Sequence, residues 1–345
     1  MFKKIPTIRM ARQEWMKLRQ TGIGGSDVGA ICGANPYVSP LAIYKSKVEE
    51  LPEIDEEKEA IRIGHDLEEY VARRFAEATG FKLRKSNYMY RSVEHPFMIA
   101  DVDRLIIGED AGLECKTVNA YGADNWKYGK IPIHYLLQCY HYMAVTGKRM
   151  WYIAALIMGR DFVYYRIDWD EQIIEGLIKT EERFWNDNVV VRMLPDPDGT
   201  VAYTETLNEY FKAIGDREIL ELNEGYDELI FKRDSIAEQI EGLTIEKNKI
   251  DQMIKLAMGS SEYARTPYHK VSWKNIETKR LDSTRLKEEQ PDIYERYVNT
   301  STSRRFEIKE REDMQVSRQK GDTNGTEERA GRNKSDSKTP GNKAA

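Results

Sequence analysis

The stretch from Phe97 to Thr117, FMIADVDRLIIGEDAGLECKT, constrains the fold of this chain more than any other segment. Two apolar runs surround the turn GEDAG, which predicts a β-hairpin. Alternation with period two places Asp101 and Asp103 on the same face of the first run. In the second run, Glu114 and Lys116 share a face. Acidic side chains therefore interrupt two strands that are otherwise apolar.

Carboxylates within hydrophobic strands are costly to bury unless something pairs with them, and a divalent metal is the usual partner. Asp103 and Glu114 could hold Mg²⁺, while Lys116 orients or deprotonates an attacking water. This set predicts a metal-dependent nuclease. The alternative interpretation is a surface hairpin whose charges face water, because D-x10-E-x-K alone is a weak signal.

A long helix supplies a further candidate acid. The segment from Glu57 to Thr79 has helical periodicity and is followed by Gly80, which favours a helix end. Glu68 lies at the edge of the apolar stripe, so a helix packed on the sheet could bring its carboxylate to the same metal. It could equally be an ordinary helix acid. The stripe itself comprises Leu67, Val71, Phe75 and Ala78.

A glycine-rich loop precedes a short predicted helix from Ser26 to Ile31. The loop reads GIGGSD, from Gly22 to Asp27, and its free backbone N–H groups favour anion binding. Arg19, seven residues before Ser26, could add a charged fork for a phosphate. A tight turn with an ordinary helix cap is the simpler alternative.

The helix predicted from His134 to Val145 carries Tyr135 and Gln138 one turn apart. A buried glutamine beside a metal site could order the water or a phosphate, whereas on the helix surface it would do neither. A group of basic and aromatic residues could line a groove that follows a nucleic-acid backbone, or form a solvated rim. These are Trp126, Lys127, Tyr128, Lys130, Lys148 and Arg149.

Composition limits the class of protein. The 345 residues include 40% hydrophobic residues, enough for one substantial core and a smaller second unit. Three cysteines without a CxxC pair argue against a disulfide framework or a zinc ribbon and favour a reducing cytoplasm. No secretion signal or membrane span is expected. The net charge of −5 means that DNA binding would need a local basic groove.

The order of helices and strands predicts an α/β fold with a central mixed sheet flanked by helices. This nuclease-like domain is expected over residues 1–195, with a closing helix from Glu171 to Val189. A coiled-coil-like helical extension follows over 196–258, then a small α+β unit over 259–312. Residues 313–345 contain almost no apolar side chains and are expected to be disordered.

The extension has a heptad pattern. From Leu222 to Ala257 the apolar positions step alternately by four and three, interrupted only by Arg233 and Lys247. One long helix and a hairpin that breaks at Gly242 both fit this pattern. In the small unit, TPYHKVSWKN and RRFEIKE (Arg304–Glu310) are predicted to be strands around a helix near Leu286.

In their order along the chain, these motifs resemble the YqaJ-type phage recombinases. That family belongs with the lambda exonuclease group of the restriction-endonuclease-like PD-(D/E)xK superfamily. The resemblance covers about residues 8–190 and is more specific than any single motif. It is carried by E14-W-x-x-x-R19, G22-I-G-G-S-D27, G64-x-x-L-E68-x-x-V-x-x-x-F75, A100-x-x-D103, L113-E-C-K-T117 and Y135-x-x-Q138-x-x-x-Y-M-x-V-T-G147.

The resemblance implies a metal-dependent exonuclease that digests one strand of duplex DNA from its 5′ end. Asp103, Glu114 and the backbone carbonyl of Cys115 would hold Mg²⁺, for which Mn²⁺ could substitute. The catalytic group would be completed by the side chains of Lys116, Glu68 and Gln138. DNA and its 5′-phosphate would be bound by the side chains of Arg19, Ser26 and Tyr135. Val102 stands where the superfamily has a proline, and Asp101 has no firm counterpart.

The resemblance and the heptad seam together suggest partners, and two rival functions stay open. The expected partners are double-stranded DNA ends, a RecT-type single-strand annealing protein and further copies of this chain, in the bacterial cytoplasm. One rival is an endonuclease of the same superfamily, or a Cas4-like enzyme, although that type generally needs four cysteines. The other rival is a non-catalytic DNA-end-binding scaffold on a nuclease fold.

Overall fold

The computed structural model of the protein describes residues 1–51, 59–211, 219–300 and 304–311. The chain divides into two compact units, Met1–Lys212 and Ala213–Ala345. The expected tail over 313–345 and the predicted helix start at Glu57 lie outside the described residues.

The first unit alternates helices and strands. Its helices are Arg12–Gln20 (α1), Gly25–Ile31 (α2), Pro40–Val48 (α3), Glu59–Thr79 (α4), Ile133–Thr146 (α5), Glu171–Arg183 (α6) and Val201–Tyr210 (α7). Its strands are Phe2–Pro6 (β1), Leu83–Lys85 (β2), Tyr88–Ser92 (β3), Ile99–Asp101 (β4), Arg104–Ile106 (β5), Ala111–Val118 (β6), Met150–Ile157 (β7) and Asp161–Asp168 (β8). A 3₁₀ segment, Ala120–Gly129, follows β6, and a π-helical turn, Phe184–Val190, extends α6.

A five-stranded sheet in the order β2-β5-β6-β7-β8 forms the centre of this unit. Strands β6 and β7 are parallel, whereas the other neighbours are antiparallel. A second sheet has the order β1-β3-β4. The predicted α/β fold with a central mixed sheet is therefore confirmed.

Helices cover both faces of the central sheet. On one face, Val71 and Phe75 of α4 pack in a buried cluster with Leu113 of β6 and Ala154 of β7. On the other face, residues of α5 join Trp151, Ile153 and Ala155 of β7 in a larger cluster. Because side chains alternate along β6, Leu113 faces α4 while Glu114 and Lys116 face α5. The polar motif residues thus lie on the α5 side.

The predicted hairpin is only partly correct. Strands β5 and β6 pair in antiparallel fashion, with Arg104 opposite Leu113. The first run is not one strand, since it breaks after Asp101, and β4 pairs with β3 in the second sheet. Alternation along a single strand therefore does not describe how Asp101 and Asp103 are placed.

Helix α4 agrees with the predicted amphipathic helix, with one correction to its stripe. Val71 and Phe75 are fully buried, but Ala78 is exposed, and Ala72 is buried instead. The stripe drifts around the helix because 3.6 residues per turn do not keep four-residue steps on one line.

Helix α7, which lies beyond the predicted boundary at residue 195, belongs to the first unit. Tyr203 is buried in the larger cluster, and its hydroxyl donates a hydrogen bond to the carbonyl of Pro195 at 2.7 Å. The aspartate-proline segment before α7 is therefore a turn within the unit, and the division falls after residue 212.

The second unit contains one helix of 34 residues, Gly225–Met258 (α8). This helix settles the two interpretations of the heptad segment, since the helix continues through Gly242. It is followed by a two-stranded sheet of Tyr263–Arg265 (β9) and Lys270–Ser272 (β10), and by helices Ser283–Glu289 (α9) and Pro291–Tyr297 (α10). The predicted strand at Arg304–Glu310 is wrong, because these residues have no regular structure.

None of the helices in the described part of the chain is both long enough and apolar enough to span a membrane.

Candidate metal and phosphate site

A cleft of about 660 Å³ in the first unit brings most of the motif residues together. It lies where the broken strand, the start of α2, α4 and α5 converge. Its polar lining includes Arg19, Ser26, Glu68, Asp101, Asp103, Glu114 and Gln138. Residues as far apart in the sequence as Arg19 and Gln138 thus supply side chains to one cavity.

Asp103 and Glu114 face each other across the hairpin. The β5–β6 register pairs Arg104 with Leu113, which places Asp103, one residue before β5, opposite Glu114. The Cys115 amide donates a hydrogen bond to Oδ2 of Asp103 at 2.7 Å. This bond fixes the Asp103 carboxylate at the end of the ladder, beside the second acid.

Glu114 lies in a network with residues of α5. The side-chain amide of Gln138 donates to Oε1 of Glu114 and to the Tyr142 hydroxyl, each at 2.7 Å. Lys116 Nζ contacts the same Oε1 at 2.7 Å and donates to Oε1 of Gln138 at 2.9 Å. The Lys116 ammonium also lies 4.6 Å from the centre of the Tyr135 ring. One oxygen of Glu114 is therefore heavily engaged.

The other oxygen, Oε2 of Glu114, is buried and has no hydrogen-bond partner. Burial is the main cause that raises the pKa of Glu114, although Lys116 opposes it. Burial and the adjacent charge of Glu114 also raise the pKa of Asp103 well above its ordinary value. Two adjacent carboxylates that repel each other, one half-buried and one buried with an unsatisfied oxygen, are what a hard cation would stabilise.

The third acid is held by an arginine. Glu68 forms an ion pair with the buried guanidinium of Arg104, which also binds Glu69 at 2.8 Å. Within the described residues, no three His, Cys, Asp or Glu side chains are close enough together to hold a metal ion. Asp103 and Glu114 are the acids here that could hold a metal ion, and Glu68, engaged by Arg104, lines the same cleft. The Cys115 carbonyl as a further ligand stays a prediction.

Arg19 and Ser26 lie together, as their spacing suggested. Arg19 Nη2 donates to Ser26 Oγ at 3.0 Å and to Asp27 Oδ1 at 2.9 Å. Lys47, almost fully buried, binds the other oxygen of Asp27 at 2.7 Å. Burial raises the pKa of Asp27, but the charges of Arg19 and Lys47 outweigh that effect and lower it to about 2. A buried ion cluster thus holds Arg19.

The glycines of the loop have packing roles. A Cβ on Gly25 would lie 2.5 Å from the Tyr142 ring, so the glycine lets α2 pack closely on α5. A Cβ on Gly24 would lie 2.9 Å from the Arg19 guanidinium. The Gly24 amide, one of the predicted anion donors, instead donates to Oδ2 of Asp27 at 2.9 Å.

Asp101 connects the strand end to α1. Its Oδ2 accepts a hydrogen bond from Trp15 Nε1 at 2.8 Å. Burial raises the pKa of Asp101, and the hydrogen bond from Trp15 opposes this rise. The Trp15 ring, in turn, lies 5.3 Å from the Arg19 guanidinium.

The predicted basic and aromatic groove is corrected in part. Trp126 is buried in the core and cannot stack on a nucleic-acid base, whereas Tyr128 is almost fully exposed. Lys148 pairs with Asp110, and Arg149 pairs with Glu171. Tyr135, expected at the phosphate, contacts Lys116, and its role in DNA binding stays a prediction.

Sequence reasoning passed over four residues that organise the site. Arg104 holds Glu68, Asp27 and Lys47 hold Arg19, and Trp15 joins Arg19 to Asp101. Trp15 and Asp27 stand inside motifs that were already recognised. Arg104 could have been found in the same way as the acids, because a charged residue in an apolar strand needs a partner when it is buried.

Comparison with known proteins agrees with the motifs. The sequence model of the YqaJ-like viral recombinase domain matches residues 14–149, which include every motif residue of the cleft. The YqaJ protein of Bacillus subtilis (strain 168) is 36% identical over 303 residues, covering 87% of this chain and 95% of that protein. The chain belongs to the YqaJ-like viral recombinase family. The resemblance inferred from the ordered motifs is therefore confirmed.

Solved structures give more distant similarities. LHK-Exo, an alkaline exonuclease from Laribacter hongkongensis crystallised with dAMP, has a TM-score of 0.45 and 19% identity. That match covers 57% of this chain and 97% of the exonuclease. A phage-related exonuclease from Haemophilus somnus 129PT has a TM-score of 0.38 and 12% identity, over 52% of this chain and 99% of that one.

Proposed function

We propose that this YqaJ-like chain is a metal-dependent double-strand DNA exonuclease that digests from 5′ to 3′. It would leave 3′ single-stranded overhangs for homologous recombination of phage or prophage DNA in the bacterial cytoplasm. The observation that carries the proposal is the pair formed by half-buried Asp103 and buried Glu114, with the unpartnered Oε2 of Glu114, beside Lys116. The similar solved structures described above are named as exonucleases.

Asp103, Glu114 and the carbonyl of Cys115 would hold Mg²⁺, with Mn²⁺ as a substitute. The oxygen donors of this set suit a hard cation. When bound, such an ion activates water and stabilises the leaving oxygen of a phosphodiester. Hydrogen bonds from the Gln138 amide and the Cys115 amide hold the two carboxylates in place beside each other.

Lys116 would position the scissile phosphate and the attacking water. Burial disfavours its ammonium, but Glu114 outweighs that effect and raises the pKa of Lys116. As an ammonium, it donates hydrogen bonds to phosphate oxygens or to water. Gln138 and Tyr135 restrain this donor from two sides. Glu68, which forms an ion pair with Arg104, would be the helix-borne acid close to the metal ion.

Arg19 and Ser26 would bind the 5′-phosphate of the DNA end. About a quarter of the Arg19 side chain is exposed, and both Arg19 and Ser26 line the cleft. A guanidinium that is fixed in advance loses little conformational entropy when it binds a phosphate.

Digestion of a linear duplex labelled at either end tests the proposal. With Mg²⁺, we expect a 5′ label to be released at once as a mononucleotide and a 3′-labelled strand to shorten stepwise from its unlabelled 5′ end. Both should be faster when that 5′ end carries a phosphate. A covalently closed circle should resist digestion, and its cleavage would instead indicate an endonuclease. Binding of duplex ends with no digestion in Mg²⁺ or Mn²⁺ would indicate the non-catalytic scaffold and overturn the proposal.

We also propose that α8 associates with a second copy of this chain. Its heptad residues are exposed, among them Leu229, Ile240, Leu243 and Ile250. A parallel pair would place Arg233 against Arg233 and Lys247 against Lys247, which is repulsive. An antiparallel pair with Ile240 against Leu243 would instead bring Arg233 close to Asp251 of the partner helix, so charge favours that arrangement.

Analytical ultracentrifugation of full-length variants tests the role of α8. Leu243→Lys, within the heptad face, should shift the chain to monomer. The matched control is Ile245→Lys, because Ile245 is also exposed but lies outside the heptad positions. Wild type that is monomeric at all concentrations would overturn self-association. The face would then be tested against a RecT-type single-strand annealing protein, the other expected partner.

A further inference from the structure

Asp101 is an additional acid in the cleft, beside the proposed metal ligands. It ends β4 and lines the same cavity as Asp103 and Glu114. Its Oδ2 accepts the hydrogen bond of Trp15 Nε1 at 2.8 Å, between residues that are 86 positions apart. One of its oxygens is therefore committed to an indole from α1.

Trp15 lies between Asp101 and the proposed phosphate anchor. Its ring faces the Arg19 guanidinium at 5.3 Å, one turn further along α1. On its other side, Arg19 Nη2 is bound by Asp27 at 2.9 Å. The guanidinium is thus restrained by an aromatic ring and a carboxylate, and the ring is restrained by Asp101. Arginine stacked on an aromatic face keeps its fork oriented for a phosphate.

The same short segment also carries the metal acid. Only Val102, which is buried, separates Asp101 from Asp103. The backbone of Asp103 is fixed in turn, because its carbonyl accepts a hydrogen bond from the Ser86 amide at 3.2 Å. A rigid three-residue segment therefore connects the residue that holds Trp15 with the residue that faces Glu114.

We infer that Asp101 is a positioning residue that orients the phosphate anchor through Trp15 and sets its distance from the metal acids. This inference rests on the proposed function. The chemistry recognised is a terminal phosphate monoester on a duplex end. Asp101 acts through Trp15 and Arg19 and does not itself contact the phosphate, since carboxylates repel phosphate oxygens.

Three full-length variants test this inference. Asp101→Ala removes the acceptor, Trp15→Phe removes the N–H donor but keeps a ring, and Asp101→Asn keeps an acceptor oxygen and is the matched control. The first readout is the binding ratio of a 5′-phosphorylated over a 5′-hydroxyl duplex oligonucleotide, measured without divalent cations. The second readout is KM and kcat for digestion in Mg²⁺.

We expect Asp101→Ala and Trp15→Phe each to lower the binding ratio about tenfold, the size of one hydrogen bond to a charged group. Both should raise KM for phosphorylated ends and leave kcat nearly unchanged. The double variant should be no worse than either single variant, because both remove the same link. Asp101→Asn should stay within about twofold of wild type on this ratio.

An unchanged binding ratio in Trp15→Phe, or additive losses in the double variant, would overturn the inference. So would a loss of kcat in Asp101→Asn, which would make Asp101 a metal ligand. If Asp101→Ala does not fold, Trp15→Phe and Asp101→Asn decide alone. Wild type that shows no digestion refutes the proposed nuclease, whereas digestion with no preference for phosphorylated ends refutes only the anchor and this inference.

Discussion

Helices α4 and α8 have similar sequence patterns and opposite surroundings. Each has an apolar stripe, but Phe75 of α4 is fully buried whereas Leu243 of α8 is 66% exposed. Helix α4 packs on a sheet whose opposite face is covered by α5. Periodicity thus predicts both helices and does not reveal what covers the stripe. The buried contacts of the first unit should therefore matter more for activity and stability than the exposed stripe of α8. The expected effects follow from the largest to the smallest.

The largest effect is expected at the paired acids Asp103 and Glu114. Asp103→Asn and Glu114→Gln should each lower Mg²⁺-dependent digestion by about a thousandfold, because several kcal/mol of charge stabilisation is lost. The same variants should melt at a higher temperature than wild type in EDTA, since they relieve the repulsion between the carboxylates of Asp103 and Glu114. Glu109→Gln, an exposed acid on the same hairpin, should match wild type in both assays. Digestion that persists in either variant would remove these residues from the site.

Truncating an apolar side chain should lower the free energy of unfolding by several kcal/mol more in the α4 stripe than in the α8 stripe. Phe75→Ala should lower the free energy of unfolding by about 3–5 kcal/mol, because it leaves a cavity between α4 and the sheet. Leu243→Ala should change it by less than about 0.5 kcal/mol in dilute solution. Urea unfolding followed by circular dichroism measures both. A loss in Leu243→Ala that grows with protein concentration would show that a second copy covers the α8 stripe.

The next largest effect on stability is expected at a buried pair of a histidine and a glutamate. His141 Nδ1 and Glu181 Oε1 are 2.8 Å apart, both residues are fully buried, and His141 Nε2 lies 2.8 Å from the Ile99 carbonyl. Glu181→Gln replaces the carboxylate that pairs with the fully buried His141, so we expect a loss of about 3 kcal/mol in unfolding free energy. Glu182→Gln, next in sequence and exposed, should have little effect. Equal stabilities of the two variants would contradict this account.

The smallest effect is a pH dependence from Asp27. Its pKa is lowered from 3.8 to about 2 in the folded protein, so its contribution is present above about pH 4 and is lost as pH falls through 2. The stability difference between wild type and Asp27→Asn should therefore shrink by about 2 kcal/mol between pH 5 and pH 2. Unfolding titrations at several pH values measure it. A difference that stays constant with pH would show that Arg19 and Lys47 do not stabilise this carboxylate.

Much of the first unit could be predicted from local patterns. Helices α2, α4 and α5, and α6 with its π-helical turn, lie within a few residues of their expected bounds. Alternation along β6 correctly placed Glu114 and Lys116 on one face. Alternation failed at Asp101, because a strand that changes sheets does not keep one period.

The second unit was less predictable. Residues Arg304–Glu310 have the composition of a strand, but they have no regular structure there. A short apolar run becomes a strand only when a neighbouring strand supplies its hydrogen bonds. Strands β9 and β10 supply such bonds to each other, and their pairing was visible only in the structure.

By itself, the sequence determined the family, the candidate acids and lysine of the hairpin, and the positions of helices α2, α4, α5 and α6. These features depend on residues that are close together in the sequence, so motif spacing and side-chain periodicity are enough to predict them. Only the tertiary structure decided that Arg104 holds Glu68 and that Asp101 holds Trp15, across 36 and 86 positions. Buried charges and indole N–H groups require partners, but the path of the chain decides which residue becomes the partner.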